Sequence, residues 1–255
     1  MKLGMVTYNL GRSWDIPTII ENCAASGFTG VELRTTHPHG VEIALSKAER
    51  EKVRKQFADS PVEIAGLGSA FEYHALDMAE VRRNIEETKE YTKLAVDVGS
   101  PGVKVRPNGV HTDEGVPLEK TLEQIGVALR EVAAFAADLG VEIRLEVHGK
   151  ITQLPANIKT IIDVADHPNA KVCWNSNNTD VGPDGSIRNN FDLLKDKIGL
   201  VHIVDLTNDY PWREEFSLLK SINYQGYTLA EIPESCEPVR LMQYYRRLWE
   251  ELQRG

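Results

Sequence analysis

Eight short runs rich in Val, Ile and Leu recur along the chain, each separated from the next by room for one helix. They are LGMVTY (3–8), GVELR (30–34), VEIAGL (62–67), GVKVR (102–106), VEIRLEV (141–147), KVCWN (171–175), GLVHIV (199–204) and YTLAEI (227–232). The intervening segments carry apolar residues at helical spacing, as in Ile16, Ile19, Ile20 and Cys23, or Leu122, Ile125, Leu129 and Val132. Gly27, Gly99 and Gly140 each follow such a segment and precede a strand, where a C-terminal cap belongs, and Pro17 falls in a first helical turn. Eight strands alternating with eight helical segments in 255 residues predict an α/β fold, a single (β/α)8 TIM barrel, with residues 1–255 as one domain. No Gly-x-Gly-x-x-Gly follows the first strand, which argues against an open doubly wound sheet, and no Pro/Gly/Ser linker divides the chain.

Buried parallel strands are normally apolar on both faces, yet several of these alternate. Val141, Ile143, Leu145 and Val147 share one face, while Glu142, Arg144, Glu146 and His148 share the other. Lys104 and Arg106 oppose Val103 and Val105, and Glu32 and Arg34 oppose Val31 and Leu33. Such strands turn their apolar side to the helices and their charges into the barrel. Charges in so dry a space must pair, bind a metal or hold a charged ligand. Pairing of Glu32 or Glu142 with Lys104 or Arg144 is the expectation for the deeper members.

A barrel of this kind opens its site at the C-terminal strand ends. Glu146, Asn175, His202 and Glu231 fall there on the fifth to eighth strands, at nearly equal intervals of about one βα unit. Two carboxylates, an imidazole and an amide oxygen at one height predict a pocket for a divalent metal of the Mn, Mg, Co or Zn group. Arg106 and Lys104 are candidates to bind an anionic group of a substrate or to steady an oxyanion, although internal pairing with Glu142 or Glu32 is the expectation for Lys104. His148 projects with Glu146 as a second acid/base or a loop cap, and Phe71 and His74 are expected to wall the pocket. Asp205 is either a group that orients a ligand or a loop carboxylate. Trp14, Trp174 and Trp212 are either an aromatic floor for a sugar ring or core.

Composition narrows the partners. Lys plus Arg is 29 against 38 for Asp plus Glu, a net charge of −9, which repels nucleic acid and anionic membranes alike. Three scattered cysteines with no CxxC spacing fit a reducing compartment, and with no signal peptide or transmembrane run the expected location is cytoplasmic. The oligomeric state, including a homo-oligomer, stays open.

At LEVHG (145–149), KVCWNSNN (171–178), VHIVDL (201–206) and LAEIP (229–233), with GLGSAFEYH (66–74) in support, the chain resembles the xylose isomerase-like TIM barrels of the sugar phosphate isomerase/epimerase group. The resemblance covers essentially the whole chain. It implies one divalent metal held by Glu146, Asn175, His202 and Glu231, with Glu146 and Glu231 as the proton-moving catalytic pair and a small carbohydrate as substrate. The family's sixth strand usually reads W-D-x-x-H, with Asp on the metal and His on the substrate. Here both positions are asparagine, Asn175 and Asn178, so Asn178 inherits the substrate-binding position and metal is expected to bind more weakly. The function implied is a metal-dependent sugar or keto-sugar isomerase or epimerase working through an enediolate. The alternatives are a lyase or hydrolase using the same enediolate, a metal-free enzyme and a non-catalytic sugar-binding descendant. A DNA-repair nuclease needs more metal ligands and a basic groove, and a Schiff-base aldolase or lyase built around Lys104 needs a lysine of lowered pKa that borohydride traps with substrate.

Overall fold

The computed structural model describes residues 1–254. Its first half runs β1 (Lys2–Val6), α1 (Ile16–Ser26), β2 (Gly30–Arg34), α2 (Lys47–Ala58), β3 (Glu63–Glu72), α3 (Met78–Val98), β4 (Gly102–Arg106) and α4 (Leu118–Ala137). The second half runs β5 (Glu142–Glu146), α5 (Pro155–Ala165), β6 (Ala170–Asn175), α6 (Arg188–Leu194), β7 (Ile198–Ile203), α7 (Trp212–Ser221), β8 (Tyr227–Ala230) and α8 (Pro238–Leu252). Each strand pairs in parallel with its neighbours in sequence, and β8 pairs with β1, so the sheet closes into a (β/α)8 barrel. No described helix is long and apolar enough to cross a membrane.

The expected limits of β2 and β4 coincide with the observed ones, because glycine marks the start of each. β1 ends earlier, since the chain turns after Thr7 donates its N–H to Glu32 O. β3 runs on to Glu72, where it pairs with Arg106 of β4. That extension absorbs a Gly-Leu-Gly-Ser stretch that reads locally as a turn. Gly99 ends α3 in the left-handed conformation, at φ 83°, with its N–H returned to Ala95 and Val96.

Alternation along the strands sorts side chains into two compartments. Leu33, Val103, Ile143 and Leu145 face the helices within the main core. A small second cluster of Val6, Ala65, Cys173, Leu200, Tyr227 and Leu229 plugs the barrel itself. At the floor, Arg144 donates from Nε to Glu142 at 2.9 Å and from Nη1 to the Ala65 carbonyl at 2.7 Å. This is one of the pairings expected for those inward charges, with Arg144 buried and Glu142 partly exposed. Glycines make the room: a Cβ on Gly102 would lie 2.6 Å from the Arg144 guanidinium, and one on Gly4 would lie 2.5 Å from Gly30 O and 2.6 Å from Leu229. Substituting Gly4→Ala is therefore expected to destabilise the fold by about 1–3 kcal/mol through overpacking against backbone. Urea unfolding checks this, and a midpoint matching the parent would contradict the packing.

Candidate active site

The apolar plug leaves a polar cavity of about 320 Å³ above it, at the C-terminal mouth. That volume is at the small end for ligand sites and suits one small molecule. Glu146 and Asn175 end β5 and β6, His202 lies within β7, and Glu231 follows β8, tied by its N–H to Ile203 O. All four line the cavity. His202, 1% exposed, holds Nδ1 at 3.4 Å from Glu146 Oε1 and 3.7 Å from Glu231 Oε2. One donor atom from each of Glu146, His202 and Glu231 lies within 4.8 Å of the others. His202 Nδ1 and Asn175 Oδ1 are buried and have no hydrogen-bond partner. An unpartnered buried polar atom is costly, so two of them in adjacent register on β6 and β7 point to a ligand between the strands.

Glu32 orients the imidazole. Its Oε2 lies 3.2 Å from His202 Nε2, so a proton on Nε2 leaves the Nδ1 lone pair facing the other donors. Glu32 fits only because β3 passes it with glycine: a Cβ on Gly68 would meet Glu32 Oε1 at 2.6 Å. On the opposite side, Lys104 donates to Glu146 Oε2 at 2.8 Å, with both side chains 5% exposed. Sequence reasoning expected Glu142 or Glu32 as the partner of Lys104. The lysine instead leans one pleat toward the mouth, while Arg144 occupies Glu142 and His202 occupies Glu32.

These contacts divide the carboxylates. Burial pushes Glu146 up, but Lys104 and His202 outweigh it and hold the group well below the usual range. Burial raises Glu231, with His202 opposing and Glu146 adding to the rise. Burial also disfavours a charge on His202, yet Cys173, Glu32 and Glu146 together push it well above an ordinary imidazole. Ionised Glu32, Glu146 and Glu231 beside one Lys104 ammonium leave two negative charges around a neutral His202, the complement of one divalent cation. The donor set thus fits such an ion in number, chemistry and charge.

Of the residues expected to touch substrate, Lys104, Arg106 and His148 line the cavity, whereas His74 and Asn178 do not. His74 stacks on His111 and sits 3.7 Å from Glu72, behind Arg106. Asn178 opens an exposed 3-10 turn, so the chain takes it away from the mouth. Phe71 packs edge-on against Tyr91, and Trp174 and Trp212 are core. Asp205 accepts from Thr207 N and Oγ1, a loop carboxylate. Sequence reasoning missed Tyr8 and Asn9, which follow β1, and read Arg34, which ends β2, as an inward charge without assigning it to the site; all three line the cavity. Their position at strand ends was the available signal.

The segment after Asn175 rests on two buried acids. Glu215 of α7 accepts from Ser176 Oγ at 3.1 Å, and Asp180 accepts from Asn177 N at 2.8 Å. Among the described residues no cation partners either acid, and burial pushes each up to about 8. The folded protein therefore keeps protons that the unfolded chain releases above the ordinary carboxylate range. Their contribution is complete below about pH 4 and is lost as pH rises toward about 8. Relative to a Glu215→Gln variant, the parent is expected to lose stability over pH 5–8, by up to roughly 1.4 kcal/mol per pH unit. Urea unfolding of both proteins across that range measures it; parallel curves would contradict the protonated acid.

A closed parallel barrel with buried carboxylate, imidazole and amide donors at its mouth defines the class. Within that class, the chain belongs to the xylose isomerase-like TIM barrel family, which matches residues 20–252. Among solved structures it is similar to a D-psicose 3-epimerase crystallised with D-fructose, at 16% identity and TM-score 0.84, with both chains covered completely. It is also similar to the E. coli 3-keto-D-glucoside 4-epimerase in its apo form, at 17% identity and TM-score 0.78, again over 100% of both chains. A third, the IOLI protein with a zinc atom, shares 16% identity at TM-score 0.77, covering 99% of this chain and 96% of that one. Identities this low speak for the fold alone. No curated protein matches the sequence.

Proposed function

We propose that this protein is a divalent-metal-dependent epimerase or isomerase of a small keto-sugar, acting by proton transfer at the carbon beside the carbonyl. One observation carries the reading: the Glu146 and Glu231 carboxylates flank an unpartnered His202 Nδ1 at 3.4 and 3.7 Å. The similar structures support it, since two are named as sugar epimerases and a third holds zinc. Glu146, Asn175, His202 and Glu231 are the donor set for Mn, Mg, Co or Zn. A cation held there supplies Lewis-acid polarisation of the substrate carbonyl and stabilises the negative charge that develops on the sugar.

The chain's own groups move the proton. Glu231, raised by burial and 20% exposed toward the cavity, is the better matched to accept a proton from carbon near neutral pH. Glu146 stands across His202 from it, hydrogen-bonded to the Lys104 ammonium at 2.8 Å, which supplies the proton that Glu146 passes to the other face of the sugar. His148, made less basic by burial, lines the same cavity with a buried Nδ1 that has no partner, ready for a sugar hydroxyl.

A lyase is the second reading, favoured by the asymmetry of the two carboxylates. Elimination needs only one strong base, here Glu231, and an acid for the departing group, for which Lys104 and His148 stand in the cavity.

The test is deuterium uptake from heavy water by D-psicose and D-fructose on the metal-loaded protein. Exchange beside the carbonyl is expected, and Glu231→Gln should lower it by about 10²–10⁴-fold. Asn175→Asp adds a charge to the donor set and is expected to tighten metal binding by about tenfold or more, read by calorimetric titration. Bound metal and bound sugar without exchange would leave a sugar-binding protein in place of the enzyme.

A further inference from the structure

The cavity is polarised around the ring. Its metal donors come from β5 to β8, whereas Arg34, Lys104 and Arg106 come from β2 and β4. In a chain of net charge −9, three cations on one arc of a small mouth run against the overall balance. Two of them are neutralised in place: Lys104 by Glu146 at 2.8 Å, and Arg106 by Glu72 at 2.5 Å. Arg34 is not. Its guanidinium has no carboxylate within salt-bridge distance among the described residues and donates one hydrogen bond, to Thr35 O at 3.3 Å. It lies 5.9 Å from the ring of Tyr8, a half-exposed side chain on the same cavity wall.

The local structure keeps Arg34 in this condition. Glu42 is the only acid in the loop 35–46, and it is committed elsewhere: it accepts from Thr35 Oγ1 at 2.9 Å and from Thr36 N at 2.5 Å. Thr36 is held at φ 68°, a left-handed conformation that costs a β-branched residue energy, directly after Thr35. Glu42 is thus held on Thr35 and Thr36, not on Arg34. Farther along the same arc, the Arg106 pair with Glu72 uses Nη2 and, among the described residues, leaves Nε buried with no partner. Two arginines at the ends of β2 and β4 therefore line one cavity, Arg34 without a carboxylate partner and Arg106 with donor capacity beyond its Glu72 pair, which matches the oxygens of a carboxylate or phosphate.

We propose that Arg34 and Arg106 select a substrate bearing an anionic group, a keto-sugar acid or a keto-sugar phosphate, with the anion on the β2–β4 arc and the reacting carbons toward Glu146 and Glu231. This rests on the keto-sugar reading above and names its substrate class. The cavity, at about 320 Å³, lets one small ligand reach both arcs.

D-fructose, D-fructuronate and D-fructose 6-phosphate share one ketose frame and differ at the terminal carbon, so they separate the anion from the sugar. Calorimetric titration of the metal-loaded protein is expected to show one of the acids binding at least tenfold more tightly than D-fructose. Which of the two binds tighter distinguishes carboxylate from phosphate. Arg34→Gln breaks no salt bridge, and it should reduce the acid-to-neutral affinity ratio at least tenfold. Arg34→Lys keeps the charge without the fork and should reduce it by a smaller factor, which keeps the test valid if the first variant does not fold. Equal or weaker binding of both acids, or a ratio that Arg34→Gln leaves unchanged, overturns the proposal. Deuterium exchange on the same ligands separates the two claims. Arginine-dependent binding of an acid with no exchange sinks the enzyme and spares this inference, while exchange on D-fructose with no preference for acid does the reverse.

Discussion

Three carboxylates and one ammonium share the dry interior of this barrel, and that imbalance governs the site. Glu32, Glu146 and Glu231 cannot all stay ionised beside Lys104 alone without large desolvation costs. Without another cation, protons answer the deficit: the surroundings push both His202 and Glu231 upward. A divalent ion would answer it in full, and the unpartnered Nδ1 and Oδ1 atoms are the donors proposed for it. The neutral Asn175 thus stands in a site whose total charge is set as much by Glu32 and Lys104 as by the residues facing the cavity.

The same balance explains how a lysine sits beside a carboxylate proposed as a metal donor. Lys104 engages Glu146 Oε2, and Oε1 is the oxygen turned toward His202. One carboxylate therefore serves two cationic partners through separate oxygens. On the far side of the imidazole, Glu32 occupies Nε2, in a space that exists because β3 carries glycine at Gly68. The polar chemistry of the mouth depends on backbone choices at least two strands away.

Much of this was legible in the sequence for a simple reason. Period-two alternation survives in strands that line a barrel, so the inward charges of GVKVR and VEIRLEVH were visible as a set, and the strand ends gave the heights of Glu146, Asn175, His202 and Glu231. Partners were less legible than positions. A lysine stem spans a full pleat, so its register does not say whether it meets Glu142, Glu32 or Glu146. Loop residues were the least legible: His74 and Asn178 leave the mouth because of paths taken after the strand, which side-chain type does not encode. Arg34 was visible as an inward charge, but the commitment of Glu42 to Thr35 and Thr36 is a tertiary fact.

Crystallography of the metal-soaked protein with anomalous scattering tests the central claim most directly. A single ion per chain is expected, within bonding distance of Glu146, Asn175 Oδ1, His202 Nδ1 and Glu231, with Lys104 still on the outer oxygen of Glu146. An empty cluster at saturating metal, or an ion bound elsewhere, would contradict it.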